Sequence, residues 1–261
     1  MFYFANAAST EKKRIKVNKN ILLTLQYDGT KYSGWQRQGN TSNTIEEKIT
    51  SVLKTLLKQE IEIHGSGRTD AGVHAIEQKA NFHANTDKQP LEIMEYLNKY
   101  LPEDINVVAA EEVDKRFHAR LSAKSKEYVY RLDIAKKPNV FTRKYVWHNP
   151  TELDISKMLV VAEYFKGKHD FASFSDMRGN KSTVRTIFDI SISQNENIIE
   201  INFHGDGFLY HMVRKLTAAL VMVGTDELSK EQIVTIFNEM DRKAFTHLAP
   251  AKGLALKKVY Y

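Results

Sequence analysis

His64-Gly65-Ser66-Gly67-Arg68-Thr69-Asp70-Ala71-Gly72-Val73-His74 follows a short strand-like run, Ile61-Glu62-Ile63. Three glycines in eight residues mark a backbone that turns sharply or lies close to another group. That turn holds an arginine and an aspartate two residues apart. No metal motif, Walker loop or nucleophile elbow fits these residues. Two readings follow. In one, Asp70 is a positioned acid, base or nucleophile. In the other, the segment is a solvated turn whose Arg68 and Asp70 face water, since Gly and Asp are common turn residues.

The rest of the chain frames that loop. Its 261 residues suit one large or two modest domains. With 42% hydrophobic and 27% charged residues it has the composition of a globular protein with a sizeable core. Lys and Arg exceed Asp and Glu by 38 to 32, a net +6 that permits a polyanionic partner without demanding one. Cysteine is absent, which excludes disulfides, thiol catalysis and thiolate metal sites. No apolar run approaches the ~20 residues that span a bilayer. Met1 to Thr10 precede the basic Lys12, Lys13 and Arg14, the wrong order for a secretory signal. Residues 1–18 therefore read as a flexible basic extension.

Working outward from the loop, strands are expected at Ile21–Gln26, Ile61–Ile63, Gln78–His83 and Ile105–Val108. Ile49, Val52, Leu53, Leu56 and Leu57 recur at helical spacing, behind a capping box of Thr44 and Glu47. Pro90 opens a helix with Ile93, Leu97 and Leu101 on one face, and Pro102 ends it. In the second half Tyr128, Tyr130, Leu132 and Ile134 alternate along a strand. A helix is expected over Ile155–Phe165, and strands at Ile187–Ile192, Ile198–Phe203 and Leu254–Tyr260. A further helix starts near Phe208, apolar nearly all round, and a capped one at Ser229 with Gln232. Helices and strands mix without strict βα alternation. That order argues for an α+β class with antiparallel sheet.

Arg214 sits on the apolar Phe208 helix, one turn after Tyr210 and His211. A buried guanidinium is costly without a carboxylate. No acidic residue occurs from Gly207 through Gly224, so a partner must come from elsewhere, and Asp70 is one candidate. Alternatively, Arg214 snorkels to solvent. The nine histidines, His64, His74 and His83 among them, show no ligand spacing, so no metal is expected. Tyr27, Tyr32, Trp35 and Tyr128 either stack on bases or pack as core. Lys31, Arg37, Arg116, Arg120, Lys124 and Lys126 either meet phosphates or solvate a surface.

Several segments together resemble the tRNA pseudouridine synthase A (TruA) family. They are Tyr27-Asp28-Gly29-Thr30-Lys31-Tyr32-Ser33-Gly34-Trp35-Gln36-Arg37-Gln38, the loop Gly67 to His74, Leu101-Pro102-Glu103-Asp104-Ile105, and Phe117-His118-Ala119-Arg120 leading to Tyr128-Val129-Tyr130. His169-Asp170-Phe171-Ala172-Ser173-Phe174, Phe208-Leu209-Tyr210-His211-Met212-Val213-Arg214 and Gly253-Leu254-Ala255-Leu256 complete the ordered set. Ala75-Ile76-Glu77-Gln78-Lys79 departs from the family, which usually has Gly before the Gln and an apolar residue after it. Lys126-Glu127 stands where basic pairs are frequent.

The resemblance implies an α+β fold of two similar halves, mostly antiparallel sheets flanked by helices around a basic RNA-binding cleft. Residues 19–120 would form the half with the catalytic loop, and 121–261 the C-terminal half. It implies isomerisation of uridine to pseudouridine in the tRNA anticodon stem-loop, at consecutive positions on its 3′ side. It also implies a cytoplasmic homodimer with tRNA as partner, no membrane association and no cofactor. Asp70 matches the catalytic aspartate, Tyr128 the tyrosine that stacks on the target base, and Arg214 the arginine that pairs with the aspartate. Arg68 matches a loop arginine associated with opening the target nucleotide. Lys31, Arg37, Arg120 and Lys126 are the candidate RNA contacts. Isomerisation needs one carboxylate, as nucleophile or as base. The other readings are a non-catalytic RNA-binding protein on this scaffold, a synthase acting on another RNA site, and a metal-dependent phosphoesterase.

Overall fold

The computed structural model describes residues 16–179 and 181–261. Most of the expected basic extension lies outside them, and its end is shorter than expected, because Val17 and Asn18 already belong to the first strand. That strand, β1 (Val17–Tyr27), carries a run of seven buried residues, Lys19 to Leu25. Helix α1 (Ile45–Leu57) follows, with Ile49 and Leu53 fully buried on its apolar stripe. Thr44 caps it by accepting from the Glu47 amide, but the capping box is only half made. The Glu47 carboxylate pairs instead with Arg37 Nε at 2.8 Å, a charged partner outbidding the backbone amide.

Next come β2 (Ile63–Gly65), two residues later than expected, and β3 (His74–Thr86), which starts at the end of the glycine loop. Helix α2 (Pro90–Tyr100) has Pro at its first position and buries Ile93 and Leu97. Strands β4 (Ile105–Val113) and β5 (Ser125–Asp133) follow. Two short strands, β6 (Trp147–His148) and β7 (Gly167–Asp170), flank helix α3 (Ile155–Phe165). Strands β8 (Val184–Asn195) and β9 (Ile198–Gly205) form a hairpin. Helix α4 (Met212–Gly224) begins four residues later than the apolar pattern suggested, because His211 takes a left-handed backbone, φ 63°, that interrupts the turn. Helix α5 (Lys230–Asn238) carries a complete Ser229–Gln232 capping box, and β10 (Leu254–Tyr260) ends the chain.

The strands form one ten-stranded sheet in the order β4-β1-β3-β10-β5-β9-β8-β7, with β2 on β3 and β6 on β5. The first half supplies β4, β1 and β3, and the second supplies β5, β9, β8 and β7. The two halves therefore share a sheet and do not each own a separate one. The join is β10, parallel to β3 and antiparallel to β5, with Ala255 opposite both His74 and Val129. Apart from that pairing and the short β5–β6 pairing, the described ladders are antiparallel. The consequence is positional. The join sets the glycine loop, which leads into β3, beside Tyr128 on β5.

Candidate active site

The loop between β2 and β3 is fixed by its backbone. Ser66 N donates to Lys79 O at 2.7 Å, and Trp35 N donates to Thr69 O at 3.0 Å. Gln78 holds the loop from β3, accepting from Ser66 Oγ at 2.6 Å and donating to Gly67 O at 2.8 Å. Tyr27 OH meets Thr69 Oγ1 at 2.8 Å in the core. Gly34 passes so close that a Cβ there would stand 2.6 Å from Thr69 O, and its φ of +92° favours glycine. The Trp35 ring lies against Gly65 in the same way. The loop is therefore a clamped turn with Ser66 and Thr69 buried; of the two residues the solvated-turn reading set in water, Arg68 is exposed and Asp70 is half-buried.

Asp70 projects from this loop into a cleft of about 650 Å³ that also exposes Arg68, Arg120, Lys126, Tyr128, Arg185, Phe208, His211 and Arg214. Arg214, near the start of α4, does not snorkel. Its Nη1 lies 3.2 Å from Asp70 Oδ2, and its Nε donates to Ala249 O at 2.7 Å. His211 Nε2 lies 3.6 Å from the same Oδ2. Tyr128 is buried, its ring edge-on to Phe208 with centroids 5.2 Å apart. Burial, then the neighbouring Tyr27 and Asp70, pushes its phenol pKa well up, so Tyr128 is a neutral phenol at neutral pH. Arg68 Nε donates to Gln36 Oε1 at 2.9 Å, and Gln36 Nε2 donates to Glu46 at 2.6 Å.

The basic candidates divide. Arg120 and Lys126 line the cleft, whereas Lys31 and Arg37 do not. Lys31 pairs with Asp104 at 3.6 Å beside a second cavity, and Arg37 is taken by Glu47. Lys126 Nζ donates to Ser66 O at 2.7 Å. Burial, reinforced by Arg120 and Arg185, lowers its pKa to about 8. Tyr27, Tyr32 and Trp35 are core residues and, unlike the equally buried Tyr128, do not line this cleft. Glu77 and Lys79 do not line the cleft, and Lys79 Nζ donates to Thr24 Oγ1 at 2.7 Å on the neighbouring strand. Among the described residues no group of three or more His, Cys, Asp or Glu is arranged to hold a metal ion, and no helix is long and apolar enough to cross a membrane.

Sequence reading missed Arg185, Phe208 and His211 as cleft residues, together with Asp176 and Lys215 behind them. His211 and Phe208 do lie inside a quoted motif. Arg185, on the half-exposed β8, gives no periodic or spacing signal.

The protein-family comparison matches a family model described as tRNA pseudouridine synthase over residues 24–121 and 161–261. Among curated proteins, tRNA pseudouridine synthase A 2 of Bacillus cereus (strain ATCC 14579) is 42% identical over 243 residues, covering 93% of this chain and 99% of that protein. tRNA pseudouridine synthase A of Bacillus sp. (strain KSM-64) is 44% identical over 243 residues, with the same coverage. tRNA pseudouridine synthase A 1 of Clostridium tetani is 44% identical over 244 residues, covering 93% of this chain and 100% of that protein. A solved Cbf5-Nop10-Gar1 complex matches at a TM-score of 0.40 and 12% identity, covering 90% of this chain and 48% of that one, a likeness too weak to bear on the chemistry.

Proposed function

The chain belongs to the tRNA pseudouridine synthase family, and we propose that it isomerises uridine in the anticodon stem-loop of tRNA with Asp70 as its single catalytic carboxylate. The enzyme is an isomerase: the N1–C1′ glycosidic bond breaks, the uracil turns, C5 bonds to C1′, and the C5 proton leaves as N1 gains one. Redox state and phosphate count do not change, so one carboxylate acting as nucleophile or base meets the chemical need.

The observation that carries this reading is the pairing of Asp70 with Arg214 inside a cleft rimmed by Arg120, Lys126 and Arg185. The guanidinium, anchored on Ala249 O, orients the carboxylate. A uridine stacked in an RNA helix reaches that carboxylate only when extruded, and an aromatic ring then replaces the lost stacking. Tyr128 is suited to this, since Phe208 braces its ring and the hydroxyl stays protonated. Arg68, at the cleft mouth, fills the space the nucleotide leaves. Arg120 and Lys126 meet RNA phosphates.

The same reading carries a cytoplasmic site of action and a homodimer. Val140 and Phe141, 59% and 88% exposed, offer apolar surface for a second copy.

The test is tritium release from tRNA labelled at uridine C5, with the purified protein desalted after EDTA treatment. Release without added metal or cofactor, with pseudouridine mapped to the 3′ side of the anticodon arm, supports the reading. Absence of release from any tRNA overturns it.

A further inference from the structure

Behind Asp70 lies a chain of polar contacts that the isomerisation chemistry does not require. His211 Nδ1 is 2.7 Å from Asp176 Oδ2, and Asp176 Oδ1 is 2.7 Å from Lys215 Nζ. Lys215 is 1% exposed on α4 and also donates to Phe245 O at 2.7 Å. A buried ammonium with a carboxylate and a carbonyl as partners is a rigid anchor. The main chain is tied at the same place, with Asp176 N donating to Tyr210 O at 3.0 Å. His211 itself stands at φ 63°, a conformation that non-glycine residues adopt at a cost, and which clusters where geometry serves a site.

The direction of the His211 bond follows. Burial pushes the Asp176 carboxyl up, but the hydrogen bonds from Lys215 and His211 outweigh it and hold it below the usual carboxylate range. An ionised carboxylate only accepts, so His211 Nδ1 is the donor and the ring cannot flip. Nε2 lies 3.6 Å from Asp70 Oδ2, the oxygen that Arg214 also contacts; holding that carboxylate takes a second ring N–H, so the contact is the ion pair of an imidazolium set between Asp176 and Asp70. Oδ2 is the oxygen that both groups approach.

We propose that His211, oriented by Asp176 and Lys215, is a positioning residue that works with Arg214 to fix the Asp70 carboxylate through Oδ2. This rests on Asp70 being the catalytic carboxylate. It assigns to the second half of the chain a second hold on a group carried by the first, and it accounts for the lysine buried next to Arg214 on a mostly apolar helix.

Two substitutions separate the functions of the ring. In His211→Asn the amide sits where Nδ1 does, keeps the Asp176 contact and tolerates the left-handed backbone, but nothing reaches Asp70. In His211→Gln the longer side chain restores a donor near the Nε2 position. Each is measured by single-turnover tritium release at saturating tRNA, beside a tRNA binding curve and a melting curve, with Asp70→Asn as control. His211→Asn is expected to melt and bind like the parent but to react roughly 10- to 100-fold more slowly, the scale of a misplaced reacting group. His211→Gln is expected to recover part of that rate. If His211→Asn reacts within about twofold of the parent, if the two variants react equally, or if the rate loss only tracks a loss of melting temperature or binding, the positioning role is overturned. Should His211→Asn fail to fold, a parental single-turnover rate in a folded His211→Phe, which has no donor, overturns the role, and a slowed one upholds it. An active Asp70→Asn control instead overturns the assignment of Asp70 itself.

Discussion

Arg214 meets Asp70 across 144 residues of sequence, its Nη1 3.2 Å from Oδ2 while its Nε is spent on the Ala249 carbonyl. One guanidinium thus ties three segments together: α4, the glycine loop, and the turn before β10. Arg214→Lys retains the charge but supplies one ammonium where two separated donors are needed. Turnover is expected to fall on the order of 10²-fold, with a stability loss of about 1–3 kcal/mol, below the cost of breaking a fully buried pair because both groups keep some solvent contact. Tritium release and urea unfolding measure the two. Parental turnover would mean that orientation of Asp70 does not depend on the fork.

Gly34→Ala tests whether the clamp on the loop matters for rate. The added methyl would stand 2.6 Å from Thr69 O at a residue with φ +92°, so either the Gly34 backbone or the Thr69–Asp70 segment must move. A destabilisation of about 1–3 kcal/mol is expected, with a rate loss larger than the loss of folded protein explains. Denaturant unfolding and single-turnover kinetics on the same preparation check it. Retained rate and stability would show the loop position to be slack.

How much of this was legible follows from range of interaction. Helix α3 and strand β10 were readable to the residue because periodicity and their flanking residues are local. Strands β6 and β7, two and four residues long, are too short for any period to register. That β10 inserts between β3 and β5 is a long-range pairing with no sequence signature. In the site, Asp70, Tyr128 and Arg214 were legible through ordered motifs. Asp176 and Lys215 were not. Lys215 carries no motif or spacing signal, and its carboxylate partner Asp176 comes from a segment 39 residues away in sequence.

Tyr128 has a buried ring packed edge-on against Phe208. Tyr128→Phe keeps that contact and the stacking face, so binding and fold are expected to persist with a modest rate loss. Tyr128→Leu loses the ring, and with it about 1–3 kcal/mol of base stacking. Comparing single-turnover rates at saturating tRNA separates the two. Equal rates for Leu and parent would reduce Tyr128 to a core residue.

Lys126 gives a pH signature. Burial, then Arg120 and Arg185, lowers its pKa from 10.5 to about 8. The folded state therefore holds this proton less tightly than the unfolded chain. The burial penalty is present below that value, and stability from this group rises with pH between the two pKa values. For tRNA the sign is opposite, since a phosphate needs the charged form, so affinity should weaken as pH rises through about 8. Lys126→Met should remove that pH dependence and flatten the salt slope by roughly 0.7 to 0.9. Binding titrations at several pH values and salt concentrations check both. A variant with the parent's salt slope would place Lys126 off the phosphate path.

Asp70→Asn decides the assignment as a whole. The amide has the shape of the carboxylate and can still accept one hydrogen bond from Arg214, so the cleft and its basic rim are expected to persist and tRNA affinity to change little. It cannot act as nucleophile or as effective base, so pseudouridine formation should be abolished. Arg214 loses its charge partner, but its Nε contact to Ala249 O remains and Asp70 is partly exposed. The stability loss should therefore stay near about 1–2 kcal/mol, not the 3–5 of a fully buried pair. The decisive pattern is a flat tritium-release trace beside a parental binding curve and a melting temperature only slightly lowered. Near-parental release would remove Asp70 from the chemistry, and with it the reason for clamping the glycine loop through Gly34, Trp35 and Gln78.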